Sequence, residues 1–205
     1  MGQIISILVI LIFSAFPTGL ALGKLLDGRD IRTLGSGNIG GTNVGRVYGK
    51  FWGIWVTIVD ALKAAFVVSF SETLNIFQNF NSEEMFLAKI GIGIFVILIN
   101  IFNPFLGFKG GKGVATSIGV LVELDWQIAV LSFGAFLLMF ATQKFKRDDL
   151  FKGSITGACT ALACSIVLLR PIPEIILFIF AVPLIFYSHR DNIDTYKKSL
   201  KKPLN

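Results

Sequence analysis

Three short segments of this chain concentrate residue types that could hold a phosphate-like anion. The first is Gly35-Ser36-Gly37-Asn38-Ile39-Gly40-Gly41-Thr42-Asn43-Val44-Gly45-Arg46, with five glycines. Glycine lets a backbone take positive φ and come close to a ligand. Successive N–H groups in such turns form an anion-binding nest. Ser36, Asn38, Thr42 and Asn43 add neutral hydrogen-bonding groups, and Arg46 offers a bidentate fork. A re-entrant loop packed tightly between helices would use the same glycines and asparagines without any ligand.

The second segment runs from Gly107 to Ser117 and reads GFKGGKGVATS. It is not a P-loop, which needs four residues before its Gly-Lys pair and then Ser or Thr. Lys109, Gly110, Gly111 and Lys112 nevertheless precede a short helix whose N-terminal N–H groups and dipole attract anions. The two lysines could instead be plain topology anchors. The third segment, Tyr187-Ser188-His189-Arg190-Asp191-Asn192-Ile193, closes the last apolar run. His189 and Asn192 are three apart and share a face if the helix continues. Alone, His189 could simply cap free carbonyls. Asp60 and Lys63 sit inside an apolar run, where ionisable residues are functional candidates or a mutually neutralising pair.

The elements that position these residues follow from composition. Of 205 residues, 54% are hydrophobic and 16% charged, and the mean hydropathy is +0.73. An ordinary soluble domain carries about 25% charged residues, so a water-soluble globule, a disordered chain and a disulfide scaffold are all excluded. Seven apolar stretches can be drawn, at about 4–22, 51–71, 86–106, 113–122, 126–143, 153–169 and 174–188. The first lacks a basic flank and reads as a retained helix. The fourth is short, since ten helical residues cover only about 15 Å of a core about 30 Å thick. The expected fold is one all-α integral membrane domain over residues 1–205, with about seven transmembrane helices, one of them short.

Charge sets the orientation. The net charge is +6 and the pI about 9.4, which could suggest nucleic acid. Yet 16 of the 19 Lys and Arg residues fall in alternate connections: 23–50, 107–112, 144–152 and the tail beyond Ser188. Glu72, Glu83, Glu84, Glu123, Asp125 and Glu174 mark the opposite ones. By the positive-inside rule the N-terminus faces out and the C-terminus faces the cytoplasm, and no nucleic-acid partner is expected. Cys159 and Cys164 lack a metal-ligand spacing, and a single histidine excludes a multi-histidine site, so no metal is expected.

Taken together, the three segments resemble the PlsY family of bacterial membrane acyl-phosphate:glycerol-3-phosphate acyltransferases. GSGNIGGTNVGR is similar to that family's GSGNIGATNxxR, FKGGKGVATS to its FKGGKGVAT, and HRDNI to its H-R-E/D-N-I. The likeness extends to Pro17-Thr18-Gly19 and to Asp60 with Lys63. Gly41 stands where the family usually has Ala, Ile99-Asn100 where it commonly has Gly-His, and a lysine-rich tail replaces its usual Arg-Leu continuation.

The resemblance implies a seven-helix enzyme of the bacterial cytoplasmic (inner) membrane, its site on the cytoplasmic face. It would move the fatty acyl group of acyl phosphate to the 1-hydroxyl of sn-glycerol 3-phosphate, giving lysophosphatidic acid and phosphate for phospholipid synthesis. Ser36, Arg46, Lys112, His189 and Asn192 would be catalytic. Gly35, Gly37, Asn38, Thr42, Asn43, Lys109, Gly110, Gly111 and Ser117 would hold substrate phosphate. No cofactor is expected, and the partners are membrane lipids and the enzyme supplying acyl phosphate. Direct transfer, with a donor phosphate oxygen taking the hydroxyl proton, competes with a Ser36 acyl-enzyme that uses His189 as base. An inactive or altered-specificity relative and an organic-phosphate transporter are the alternatives, although no inverted repeat is evident.

Overall fold

The computed structural model describes residues 2–143 and 150–200, apart from the side chains of residues 2–4 and 75. The expected basic positions Lys144, Lys146, Arg147, Lys201 and Lys202 lie outside the described residues. The chain is helical, with no strand among the described residues: α1 (Gly2–Ala15), α2 (Thr18–Asp27), α3 (Gly41–Val47), α4 (Lys50–Phe70), α5 (Ser82–Ile101), α6 (Val114–Leu124), α7 (Trp126–Thr142), α8 (Leu150–Val167), α9 (Ile172–Ser188) and α10 (Arg190–Leu200). Each of the seven apolar stretches lies in this helical framework. By length and composition, Lys50–Thr73, Ser82–Leu106 and Leu150–Val167 can each cross a membrane. The pairs α1–α2 and α9–α10 are bent by 63° and 56°, and α6 and α7 are shorter apolar helices.

Helix ends follow local chemistry. Asn81 starts α5 with a capping box, its Oδ1 accepting from the N–H groups of Glu83 and Glu84 while Glu84 accepts from Asn81 N–H. Asp125 caps α7 in the same sense. Gly28, at φ 74°, ends α2 in the left-handed region. Ile54, Ile58 and Leu62 recur every four residues along α4, each more than half exposed. Such an uncovered apolar stripe is stable against hydrocarbon and costly against water. Inward, Val67, Ile97, Val120 and Leu177 join α4, α5, α6 and α9 in the main core.

The first apolar run differs from the single helix expected of it. Pro17 lacks an N–H and its ring clashes with the preceding turn, so the helix breaks between Ala15 and Thr18. The freed carbonyls find partners elsewhere: Asn103 Nδ2 donates to Ala15 O at 2.5 Å, and Lys63 Nζ to Phe16 O at 2.6 Å. Lys63 also donates to Thr18 Oγ1 and pairs with Asp60, which accepts from Thr18 Oγ1 at 2.7 Å. The Asp60–Lys63 pair therefore neutralises itself while closing the break.

The end of the bundle away from the glycine segments is tied by charge. Lys89 on α5 pairs with Glu72 and with Glu123, and Arg170 Nε meets Asp125 at 2.7 Å. Asn103 is 2% exposed, so an Asn103→Ala variant leaves the Ala15 carbonyl stranded. The expected cost is about 1–3 kcal/mol, read as a lower thermal midpoint of the protein in lipid. An unchanged midpoint would show that the carbonyl finds another partner.

Candidate active site

The first glycine segment is shaped by one side chain. Asn43, on α3, is 1% exposed. Its Nδ2 donates to Asn38 O (2.8 Å) and Leu34 O (3.0 Å) and reaches Ile31 O (3.4 Å), while its Oδ1 accepts from Ser36 N–H at 2.7 Å. Gly35 passes over this amide at φ 58°, where a Cβ would collide with Asn43 Oδ1. Asn43 thus spends its side chain on the loop itself. Asn38 does likewise with Oδ1, which accepts from Gly40 N–H at 2.8 Å, but its Nδ2 reaches across to Gly110 O at 3.5 Å. Ser36, Thr42 and Arg46 are left exposed on the rim, with Gly35, and Gly37 is half-buried. Gly41, the departure from Ala, backs onto α4, where a Cβ would run into Gly53 O and Thr57 Oγ1. Nearby, Arg29 and Arg32 are paired with Asp27 and Asp30.

The second segment hangs from the end of α5. Gly107 and Phe108 are both left-handed, at φ 62° and 61°, and turn the chain back. Gly110 N–H then donates to Ile101 O (3.0 Å) and Gly111 N–H to Asn100 O (2.9 Å). Gly113 N–H donates to Asn100 Oδ1 at 3.2 Å. Several N–H groups expected to face an anion are therefore engaged in building the loop. By the general rule for helix ends, the first-turn N–H groups of α6 still lack intrahelical partners. Lys109 is exposed. Lys112 is half-buried; its Nζ donates to Asn192 Oδ1, and its carbonyl accepts from Ser188 Oγ at 3.0 Å. Burial lowers the proton affinity of Lys112, and the nearby Arg46 charge lowers it further, while Asp191 opposes both.

The third segment does not continue as one helix. The chain bends at His189, and the bend brings Asn192 to Lys112. His189 is 3% exposed. Its Nδ1 lies 2.9 Å from Ile185 O, and a carbonyl can only accept, so Nδ1 carries the proton and Nε2 is the acceptor. Burial pushes its pKa down to about 4, with the Lys112 charge acting the same way and the Ile185 bond opposing. Arg190 turns aside, its guanidinium 4.2 Å from the Tyr187 ring centre.

Below this cluster lies an apolar groove between α5, α6, α7, α8 and α9, lined by Ile97, Val114, Phe136, Ala158 and Val182 among others. Ser117 borders it, and Ser117 Oγ is buried without a hydrogen-bond partner. The groove adjoins the polar cluster through Val114, two residues from Lys112, and through Ile185, whose carbonyl holds His189. Asn100, Asn103 and Ser188 were not singled out as site residues by motif reading. Two asparagines three apart in an apolar run were the available signal for the first two. Among the described residues no group of three His, Cys, Asp or Glu is placed to hold a metal ion.

These features can be set beside known proteins. A family model described as glycerol-3-phosphate acyltransferase matches residues 4–199. The chain is 35% identical to a glycerol-3-phosphate acyltransferase of Synechococcus elongatus, over 91% of this chain and 87% of that one. It is 34% identical to one of Staphylococcus saprophyticus, over 93% and 92%. The crystal structure of PlsY (YgiH), an integral membrane glycerol 3-phosphate acyltransferase, in its glycerol 3-phosphate form superposes with a TM-score of 0.76 at 30% identity, covering 97% of this chain and 95% of that one. The lysophosphatidic acid form gives 0.75 at 29%. With the match running through all three segments and nearly the whole chain, the protein belongs to the PlsY family of integral membrane glycerol-3-phosphate acyltransferases.

Proposed function

We propose that this protein transfers a fatty acyl group from acyl phosphate to the 1-hydroxyl of sn-glycerol 3-phosphate, releasing lysophosphatidic acid and inorganic phosphate. The observation that carries the reading is the joining of three distant segments into one cationic cluster beside an apolar groove. Asn38 reaches Gly110, Lys112 meets Asn192, and Ser188 holds the Lys112 carbonyl. We place this cluster on the cytoplasmic face of the bacterial inner membrane, with seven crossing helices, the N-terminus outside and the C-terminus inside. The support is the alternation of basic and acidic connections along the chain.

The electrostatic demand is large. Two phosphates carrying nearly two charges each, about 6 Å apart at an effective dielectric of 20, repel by on the order of 10 kcal/mol. Arg46 and Lys112 supply fixed positive charge, and the α6 N-terminus adds N–H donors. Thr42 and Ser36 stand on the rim as neutral partners, and Lys109 steers anions from the exposed side. The glycines, with Asn38 and Asn43, set the loop shapes. The acyl chain lies in the groove, with Ser117 beside it.

The glycerol O1 attacks the acyl carbonyl carbon, and the tetrahedral oxyanion collapses as the carbon–oxygen bond to phosphate breaks. The hydroxyl proton passes to a phosphate oxygen of the donor. This direct transfer suits His189 better than a triad does, because its Nδ1–H is taken by a main-chain carbonyl and not by an orienting carboxylate. A neutral His189, with Nε2 the acceptor nitrogen, takes a hydrogen bond from a protonated phosphate or from the glycerol hydroxyl that does not attack.

Phosphate release by the purified protein in lipid, given palmitoyl phosphate, should depend on glycerol 3-phosphate. The Arg46→Ala variant should lose about 10²-fold or more in kcat/KM. Release without the acceptor, abolished in Ser36→Ala, would establish the acyl-enzyme route. No release from folded protein with intact substrates would point to an inactive relative.

His189 gives a second test, because it is the only histidine. With labelled imidazole, NMR at pH 6 should report the neutral Nδ1–H form, and adding glycerol 3-phosphate should raise its pKa. An imidazolium at pH 6 in free enzyme would contradict the geometry. The folded pKa lies below the unfolded value, so the unfolded state binds more protons between about pH 4 and 6.5. The His189 contribution to stability should therefore fall as pH drops through that window.

A further inference from the structure

The apolar groove narrows onto buried side chains at the level of α9 farthest from the polar cluster. Its deep wall is made by Leu121 on α6, Ala161 on α8, and Leu177 and Phe178 on α9, each under 7% exposed. Ile128 and Ala129 on α7 share one buried cluster with Leu121, Ala161 and Phe178 of that wall. Beyond it the Arg170–Asp125 pair ties α7 to the turn before α9. On α9 the groove lining runs from Leu177 up to Ile185, one turn below His189 in the polar cluster.

That distance can be read off the helix. Twelve residues of α9 and its cap separate His189 from Leu177, about 18 Å at 1.5 Å per residue. An extended chain advances about 1.2 Å per bond, so the path takes roughly fifteen bonds. The occupant is set by continuity: a chain whose carbonyl sits beside Lys112 and His189 has this groove as its apolar continuation. A donor's acyl chain comes from bilayer hydrocarbon, which is as apolar as the groove lining. Longer chains therefore gain little by transfer, and discrimination must come from the wall itself.

We propose that Phe178 and Ala161 form the stop of an acyl-chain ruler that admits about sixteen carbons in extended form and disfavours longer donors. The ruler presupposes acyl transfer at the cluster above it. Neither stop residue is part of the polar cluster. Removing the Phe178 ring deepens the groove, and enlarging Ala161 raises its floor.

The test is competition among myristoyl, palmitoyl and arachidoyl phosphates in the same vesicles, with glycerol 3-phosphate as acceptor and product ratios read by mass spectrometry. Comparing variant with wild type in one lipid mixture cancels donor partitioning. Wild type should favour palmitoyl over arachidoyl. Phe178→Ala should raise the arachidoyl share, and Ala161→Leu should raise the myristoyl share, each by about ten-fold, the lower range for methylene discrimination in a pocket. The two shifts are opposite, so one folded variant suffices to decide. Unchanged ratios, with turnover still dependent on both substrates and lost in Arg46→Ala, would overturn the ruler alone. Absence of turnover at every chain length would overturn the acyltransfer reading beneath it as well.

Discussion

Half-buried Lys112 lies within the field of the exposed Arg46, and keeping these like charges together is the constraint around which the site is arranged. Burial first, and the Arg46 charge after it, weaken the hold of Lys112 on its proton. A carboxylate wedged between Arg46 and Lys112 would relieve the strain but would also compete with any incoming anion. The structure uses neutral amides instead. Asn43 shapes the first loop, Asn100 the second, Asn38 reaches between them, and Asn192 meets the Lys112 ammonium. A carboxamide accepts from an ammonium or an amide without cancelling its charge, so the field survives for a ligand. The acids of the first loop sit apart, paired with Arg29 and Arg32.

The same economy governs the backbone. Glycine segments of this kind suggest free N–H groups turned toward a ligand, yet most of those traced here close turns or hang the loop from α5. Glycine serves mainly to let backbone approach backbone: Gly35 slides over the Asn43 amide, and Gly41 presses on α4. What remains for an anion is side-chain charge and one helix N-terminus. The bends complete the design, because the turn at His189 carries Asn192 over to Lys112. A continuous helix would have kept His189 and Asn192 on one face.

Much of this was legible from residue types. The apolar stretches located the helical framework, and the three motifs named the residues that the fold gathers. The roles within the motifs were harder to read. Nothing in the spacing of Asn43 tells that it serves the loop and not a ligand, because that depends on which carbonyls lie within reach after folding. Asn100 stood out only as a departure from a familiar pattern, although its side chain holds the start of α6. The break at Pro17 could be suspected from proline chemistry, but its partners could not, since Lys63 and Asn103 are far away in sequence. Side-chain reach across 47 and 88 residues is a tertiary fact.

That reach has a bearing on how the protein is made. The carbonyls of Ala15 and Phe16 leave the ribosome early, and in hydrocarbon an unpartnered carbonyl is costly. Lys63 is synthesised only with α4 and Asn103 only once α5 is complete. Until then the broken first segment has no permanent complement, and water, lipid headgroups or the insertion machinery must stand in. The protein's N-terminal portion is therefore unfinished for roughly half of its synthesis. A truncated chain ending before α5 would keep an exposed polar notch in its first helix, a mark by which membrane quality control could recognise it.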